Sequence, residues 1–440
     1  MARHAPSVPE IGTVESLNHD GAGVVRAGKT AFVAGALPGE SVQFLRRKRH
    51  RQHDEAELLE VLTPSALRVT AECPHFGVCG GCALQHLDAA TQLEIKQQQL
   101  ADNLQRIGKV TPNEWLAPLT GPVWRYRRRA RLGARYVTKR ERSLVGFRER
   151  QGSFIADISQ CEVLAEPVNH LLLPLSELLT ALSIRERIPQ IEVAVAEEAV
   201  ALVMRILSPT TADDEALLLA FEARHGVRIY LQSAGLDSIR ALREPAPLLS
   251  YRLPEFDVQL QFLPSDFIQV NAAMNQSLIS CVIGHLQLDA SSRVLDLFCG
   301  LGNFTLPLAR RAAHVTGVEG DKALVARAAA NATRNGLSNT RFHAADLLVA
   351  QAPGAAWLAG GYSHVLLDPP RAGAREMLAA VAALAPRKVA YVSCHTGSLA
   401  RDLGILVHEY GFELLAAGVA DMFPHTAHVE SLAILQTKSR

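Results

Sequence analysis

The chain has no run of eighteen or more apolar residues, so no segment of it is built to cross a bilayer as a helix. Its opening, Met1-Ala2-Arg3-His4-Ala5-Pro6, lacks the apolar stretch of a secretory signal. Seven cysteines, an odd number in 440 residues, are too sparse for a disulfide framework. Aromatic residues make up only 5%. These absences exclude a membrane span and a disulfide-stapled secreted domain, and they point to a reducing cytoplasm. Net charge is also scarce, with 45 Lys and Arg against 44 Asp and Glu. That balance hides local asymmetry. Residues 124–150 hold eleven Lys or Arg against Glu141 and Glu149, a local +9, and a second basic run is Arg46-Arg47-Lys48-Arg49-His50-Arg51. Two such stretches suit a polyanion such as nucleic acid; a solvated surface face is the plainer alternative.

At this length two or three cores are expected. Residues 8–66 read as short β segments (12–15, 23–25, 30–33, 41–44 and 56–62) around a Leu37-Pro38-Gly39-Glu40 turn. Five strands so close together predict a small OB-like closed barrel, a fold that often carries oligonucleotides. A region of 67–264 follows, with three cysteines near its start, a Gln- and Leu-rich helix over 91–107 placed to pack on the catalytic domain, and then β character. In Arg129-Ala130-Arg131-Leu132-Gly133-Ala134-Arg135-Tyr136 arginine alternates with small or apolar residues, the period of a half-buried strand with a basic face. From 265 to 440 strands alternate with helices. Strands are expected at 293–297, 314–318, 340–343, 363–367, 388–393, 413–419 and 430–436, giving an α/β, doubly wound and mainly parallel sheet.

In that last region Arg293-Val294-Leu295-Asp296-Leu297-Phe298-Cys299-Gly300-Leu301-Gly302-Asn303 is a strand entering a glycine turn. Gly300 and Gly302 let the backbone turn tightly and approach a ligand. The next strand ends in Glu319, placed to accept from ribose hydroxyls, and the third is followed by Asp346. A dinucleotide site prefers a third glycine, which is missing here, and Asp296 would repel a pyrophosphate. A cationic sulfonium nucleoside, S-adenosyl-L-methionine, fits better.

The fourth strand closes in Leu367-Asp368-Pro369-Pro370-Arg371, where two prolines fix the carboxylate at the sheet edge. An aromatic residue after the prolines would suggest methylation of an exocyclic amine; here Arg371 stands instead. The fifth strand ends at Cys394. A thiolate added at C6 of a uracil turns C5 into an enolate carbon able to take a methyl group, after which a base must remove the C5 proton. Glu430, opening the last strand, is the candidate base. Arg371 and His395 are candidates for holding the thiol ionised. A buried cysteine of no chemical role is the plain alternative, and it is the default for Cys281 and Cys299.

Cys73, Cys79 and Cys82 are spaced C-x5-C-x2-C, and Cys161 is the one further cysteine before position 281. Four thiolates make a closed site for zinc or for an iron–sulfur cluster, and spacing alone does not separate them. Radical use of the methyl donor needs C-x3-C-x2-C, so a structural cluster is the better reading.

Taken together these residues resemble the RNA uracil-C5 methyltransferases, over essentially the whole chain. Within that family they are most similar to the bacterial 23S ribosomal RNA branch that carries a TRAM domain and a [4Fe-4S] cluster. The resemblance implies a TRAM barrel over 1–66, a β-rich cluster domain over 67–264 and a class I S-adenosylmethionine-dependent methyltransferase domain over 265–440. It implies cluster ligation by Cys73, Cys79, Cys82 and Cys161, and donor contacts from Gln269, Phe298, Asn303, Glu319, Asp346 and Asp368. Cys394 would be the nucleophile and Glu430 the base. The implied substrate is a flipped-out uridine in a loop of 23S rRNA, position 1939, met by a cytoplasmic monomer with no membrane partner. Another uridine of rRNA or tRNA, or a non-catalytic role in ribosome assembly, are the alternatives. Asp266 departs from the aromatic or small residue common at its position and touches no implied role.

Overall fold

Short strands separated by turns at Gly21, Gly28, Gly35 and Gly39, all with positive φ, build the N-terminal unit. In the computed structural model, which describes residues 8–26, 28–150, 152–350 and 354–438, these strands close into a barrel. The opening 1–6, read above for want of a signal, lies outside the described residues. The strands are Glu10–Leu17, Ala22–Val25, Thr30–Ala34, Ser41–Arg49 and His53–Thr63, and the last two are neighbours in the ring. Alternate residues point inward, so Val14, Val25, Ala31, Val33, Val42, Phe44 and Ala56 form one small core. The basic run on the fourth strand is largely answered by acids. Arg46 bonds Glu10 (2.8 Å) and Asp54 (3.1 Å), Arg47 meets Glu57 at 2.5 Å and Lys48 meets Glu55 at 3.2 Å.

The central unit is a six-stranded sheet ordered Ile239–Ala241, Val227–Gln232, Val200–Arg205, Gln190–Val195, Arg129–Val137, Arg142–Gly146. The expected alternation of Arg129–Val137 holds: Ala130, Leu132 and Ala134 are buried while Arg131 and Arg135 face out. Part of the basic face is nevertheless paired, since Glu192 takes both Arg129 and Arg131 at 3.0 Å, and Asp157 takes Arg140 and Arg142. Two helices, Leu172–Ala181 and Ala212–His225, were not foreseen in this region. The second carries a full capping box, with Asp214 N donating to Thr211 Oγ1 and Thr211 N donating to Asp214 Oδ2, and ends at Gly226 in the left-handed region.

The C-terminal sheet has eight strands, ordered Thr340–Ala344, His314–Glu319, Arg293–Leu297, His364–Leu367, Lys388–Ser393, Glu430–Thr437, Phe412–Ala420, Glu114–Trp115. The first five run parallel, and Glu430–Thr437 is antiparallel to both its neighbours. The buried apolar runs of Arg293–Leu297, His364–Leu367 and Lys388–Ser393 match the pattern of a sheet covered on both faces, while the edge strand Thr340–Ala344 is only partly buried. The edge strand Glu114–Trp115 comes from sequence well before the rest. So does helix Ala89–Asn103, capped by Asp88, which continues as a wider π turn over Leu104–Gly108. Leu93, Leu100 and Leu104 share a core with Leu399, Leu403 and Phe412. Gly108 and Gly404 allow the closest approach: a Cβ on Gly404 would stand 2.7 Å from Gly108 O. Among the described residues no helix is long and apolar enough to cross a membrane.

Candidate active site

The parallel strands present their carboxyl ends to one edge of the sheet, where ligands of such folds lie. After strand Arg293–Leu297 the chain turns through Phe298 (φ 66°), Gly300 (φ 54°) and Gly302 (φ 98°). At Gly302 a Cβ would lie 2.5 Å from Leu306 Cδ1, so the turn needs glycine for space as well as for backbone. Glu319 accepts from Gly300 N and Asp321 N, both at 3.1 Å, and so ties the ends of two strands together. Below the turn Asp296 is fully buried. Thr305 Oγ1 donates to its Oδ2 at 2.5 Å, its Oδ1 has no partner among the described residues, and burial pushes its pKa up to about 8. Burial likewise raises Asp368 to about 7, and lifts Glu430 well above the ordinary carboxylate range with Asp368 adding to the effect. Carboxyl groups desolvated side by side favour a ligand that brings positive charge.

One cavity of about 760 Å³ opens over this edge. Gln269, Phe298, Asn303, Glu319, Asp346, Asp368, Cys394 and Glu430 all line it, so every residue singled out for donor binding or catalysis faces a single space. The strand register explains the last two. Ser393 pairs with Ser431, which sets Cys394 and Glu430 on neighbouring strands at the same level. Cys394 is half-buried, and its thiol is raised first by burial and then by Glu430 and Asp368, with Arg371 opposing them. The companion role expected of His395 does not hold. Its Nδ1 accepts from Ser398 N (3.1 Å) and caps helix Thr396–His408, and partial burial lowers its pKa, so the ring is neutral. Arg371 remains, donating through Nη2 to His428 Nδ1 at 2.9 Å. Asn303 is committed more deeply than expected. It exchanges amide hydrogen bonds with Asn275, and its Oδ1 also accepts from Tyr251 (all 2.9 Å). Asp266 fixes the approach to Gln269 by accepting from Leu263 N (2.6 Å) and Arg327 Nη1 (2.8 Å).

Cys73, Cys79, Cys82 and Cys161 line a second, smaller cavity that shares Gly81 and Arg127 with the first. All seven cysteines of the chain are free. Burial pushes Cys82 up to about 12 and Cys161 up to about 11. Among the described residues, however, no three or more His, Cys, Asp or Glu side chains are set as ligands of one metal ion. The four thiols share one pocket.

Comparison with known proteins places this geometry. A family model described as tRNA (Uracil-5-)-methyltransferase matches residues 250–438. The 23S rRNA (uracil(1939)-C(5))-methyltransferase of Stenotrophomonas maltophilia strain K279a is 50% identical over 96% of each chain. That of Methylococcus capsulatus is 50% identical over 98% of each. The chain belongs to the 23S rRNA (uracil-C5)-methyltransferase family. Its fold is that of the Pyrococcus abyssi tRNA (uracil-54, C5)-methyltransferase, solved in complex with S-adenosyl-L-homocysteine, with a TM-score of 0.75 over 97% of this chain and 100% of that one, at 24% identity.

The cavity also draws on residues that carry no local signal for such a site. His19 and Asp20 reach it from a barrel turn, Gly80, Gly81 and Ala83 from the cysteine loop, and Phe423, Thr426, Ala427 and His428 from the loop before the last strand. Arg127 lines it too, whereas Arg128, from the same basic run, is buried. Arg128 Nε donates to Gln269 O (2.8 Å), and its guanidinium lies 4.4 Å from the Tyr251 ring centre. Only the arginine-rich composition hinted at these contacts; the barrel turn carried no local signal.

Proposed function

We propose that this protein transfers a methyl group from S-adenosyl-L-methionine to C5 of one uridine in 23S rRNA, position 1939, through a covalent thiolate adduct. The observation carrying this reading is the level pairing of Cys394 with Glu430 across adjacent strands, at the rim of the glycine-turn site. In it, Cys394 Sγ bonds to C6 of the uracil and C5 gains enolate character. C5 attacks the sulfonium methyl, breaking the S–CH3 bond and releasing the neutral thioether. Glu430 takes the proton from C5, the electron pair re-forms the C5–C6 double bond, and Sγ leaves. Arg371 favours the ionised thiol. Gln269, Phe298, Asn303, Glu319, Asp346 and Asp368 hold the donor, and the carboxyl groups beneath suit its cationic sulfur and ammonium. A base must leave its stack to reach Sγ, so the target is a flipped-out nucleotide in a loop.

In the same reading, residues 1–66 form a TRAM barrel that contacts flanking RNA, residues 67–264 a cluster-bearing domain and residues 265–440 the methyltransferase domain, the whole working as a cytoplasmic monomer. Cys73, Cys79, Cys82 and Cys161 would hold a [4Fe-4S] cluster. What supports this reading is that all four thiols line one pocket, where four cysteines make a closed ligand set. When bound, such a group braces the chain and supplies no step of the methyl transfer. Iron and acid-labile sulfide in anaerobically purified protein would support it; stoichiometric zinc would refute it.

The decisive experiment uses RNA substituted with 5-fluorouridine, from which no proton can be removed. Incubated with enzyme and donor, it should form an adduct that survives denaturing electrophoresis. Cys394→Ala should form none and lose at least ~10³-fold in turnover. An adduct persisting in that variant refutes the nucleophile.

A further inference from the structure

Helix Ala89–Asn103 precedes the strand–helix alternation in sequence, yet two of its polar side chains are buried at the catalytic edge. Gln92 is 1% exposed and Lys96 2%. Four residues apart, they share one helical face. Both reach the loop over 421–429 that joins strand Phe412–Ala420 to Glu430–Thr437. Lys96 Nζ donates to Asp421 Oδ1 (2.6 Å) and Phe423 O (3.0 Å). Gln92 Oε1 accepts from His425 N (2.8 Å), and its Nε2 donates to Leu87 O (2.8 Å) and lies 3.2 Å from His425 Nδ1.

Other elements grip the same loop. The His425 carbonyl accepts from Ala83 N (2.8 Å) and Leu84 N (3.0 Å), its ring stacks on Trp124 with centroids 3.9 Å apart, and Tyr126 donates to Pro424 O (3.0 Å). His425 holds φ at 65°, a region that a non-glycine residue keeps only where its surroundings over-determine it. A helix serving only adhesion would bury apolar groups here, because buried polar ones cost desolvation unless fully partnered. Four members of the loop, Phe423, Thr426, Ala427 and His428, line the catalytic cavity just ahead of Glu430. The Glu430 carboxyl has no hydrogen-bond partner among the described residues, so its aim depends on the backbone that carries it.

We propose that Gln92 and Lys96 are positioning residues for proton removal: by fixing the 421–429 loop through His425 and Asp421, they hold the Glu430 carboxyl against the base bonded to Cys394. This rests on the reading of Glu430 as the base. Neither residue lines the cavity, so their loss acts through the loop and falls on the last chemical step.

The test uses full-length enzyme, S-adenosyl-L-methionine and ordinary uridine RNA. Gln92→Met keeps the side-chain volume and removes its hydrogen bonds. Misplacing the base should lower kcat by about 10- to 100-fold, leave the KM for the donor within about twofold, and let methylated covalent adduct accumulate, as Glu430→Gln should do more strongly. Should Gln92→Met lose its native circular dichroism, His425→Asn takes its place. Asparagine tolerates the left-handed backbone but breaks the ring contacts, and it carries the same expectation. An unchanged kcat, or a loss of kcat without adduct while Glu430→Gln accumulates it, overturns the positioning role. Absence of adduct from Glu430→Gln overturns the base assignment first and the positioning with it.

Discussion

The carboxyl groups beneath the donor site set the pH behaviour of the empty protein. Asp296 and Asp368 have folded-state pKa values of about 8 and about 7, above the value near 4 of the unfolded chain. The sign follows directly. Below pH 4 both states hold the protons, and as the pH climbs toward 8 the folded state must ionise groups it has buried, so this contribution to stability is progressively lost. A cationic donor reverses the penalty by stabilising the ionised forms. Binding of S-adenosyl-L-methionine should therefore release protons, and its affinity should rise between pH 5.5 and 7 by up to ~10-fold per pH unit for each proton released. Calorimetry in two buffers of different ionisation enthalpy reads the protons directly, and Asp296→Asn should flatten the profile. Equal heats in both buffers would remove the electrostatic argument for a sulfonium ligand. At this scale the sequence was informative: Asp368, Cys394 and Glu430 stand out as strand-end residues and meet in one cavity, with Asp296 buried beneath the glycine turn. It misjudged His395, because a helix N-cap role depends on where the next helix starts.

Elements were legible in the C-terminal sheet, whereas helix Leu172–Ala181 was missed although it buries Leu172, Leu175, Leu178 and Leu179. The seven strands expected between 293 and 436 lie within one residue of those observed, since a sheet covered on both faces needs continuous apolar runs. The two-residue strand Glu114–Trp115 could not be seen, because its existence is decided by a partner some 300 positions away. The same is true of the seam between Leu104–Gly108 and helix Thr396–His408, and there a pair of substitutions separates helix propensity from packing. Alanine for glycine inside a helix ordinarily gains ~1 kcal/mol. Gly284, exposed near the end of helix Ala272–Leu286 with nothing within 4 Å of its would-be Cβ, should show that gain on Gly284→Ala. Gly404→Ala should do the opposite. Its Cβ would meet Gly108 O at 2.7 Å and Gly108 Cα at 3.1 Å, backbone atoms that move only with the whole turn, and such overpacking costs about 1–3 kcal/mol. Urea unfolding of both variants checks the contrast; a stabilised Gly404→Ala would mean that the seam is loose.

At the scale of the whole molecule, the barrel, the six-stranded sheet and the eight-stranded sheet meet around one cysteine-bearing loop. Gly80, Gly81 and Ala83 face the catalytic cavity, while Cys73, Cys79 and Cys82 face the smaller one with Cys161, which comes from beyond the basic strands. The barrel reaches the same place, with Leu17 and Leu37 packed on Leu84 and Leu87. The grouping of the four cysteines was expected from the sequence, but the contacts of the barrel and of Gly80, Gly81 and Ala83 with the catalytic cavity were not, because each joins segments whose local patterns are complete without it. A bridge from the loop to Cys161 would close a long stretch of chain, and closing a long stretch removes more freedom from the unfolded state than closing a short one. With Cys82 and Cys161 raised to about 12 and about 11, bare thiols at neutral pH stay protonated and supply no such bridge. Ligation must displace those protons, so the stabilisation belongs to the loaded protein alone. Cys82→Ser should therefore cost anaerobically purified, iron-loaded protein several degrees in Tm and most of its iron, yet change the Tm of iron-stripped protein little. Equal losses in both forms would mean that Cys82 acts by packing, and the cluster would lose its claim as the brace between the central sheet and the catalytic edge.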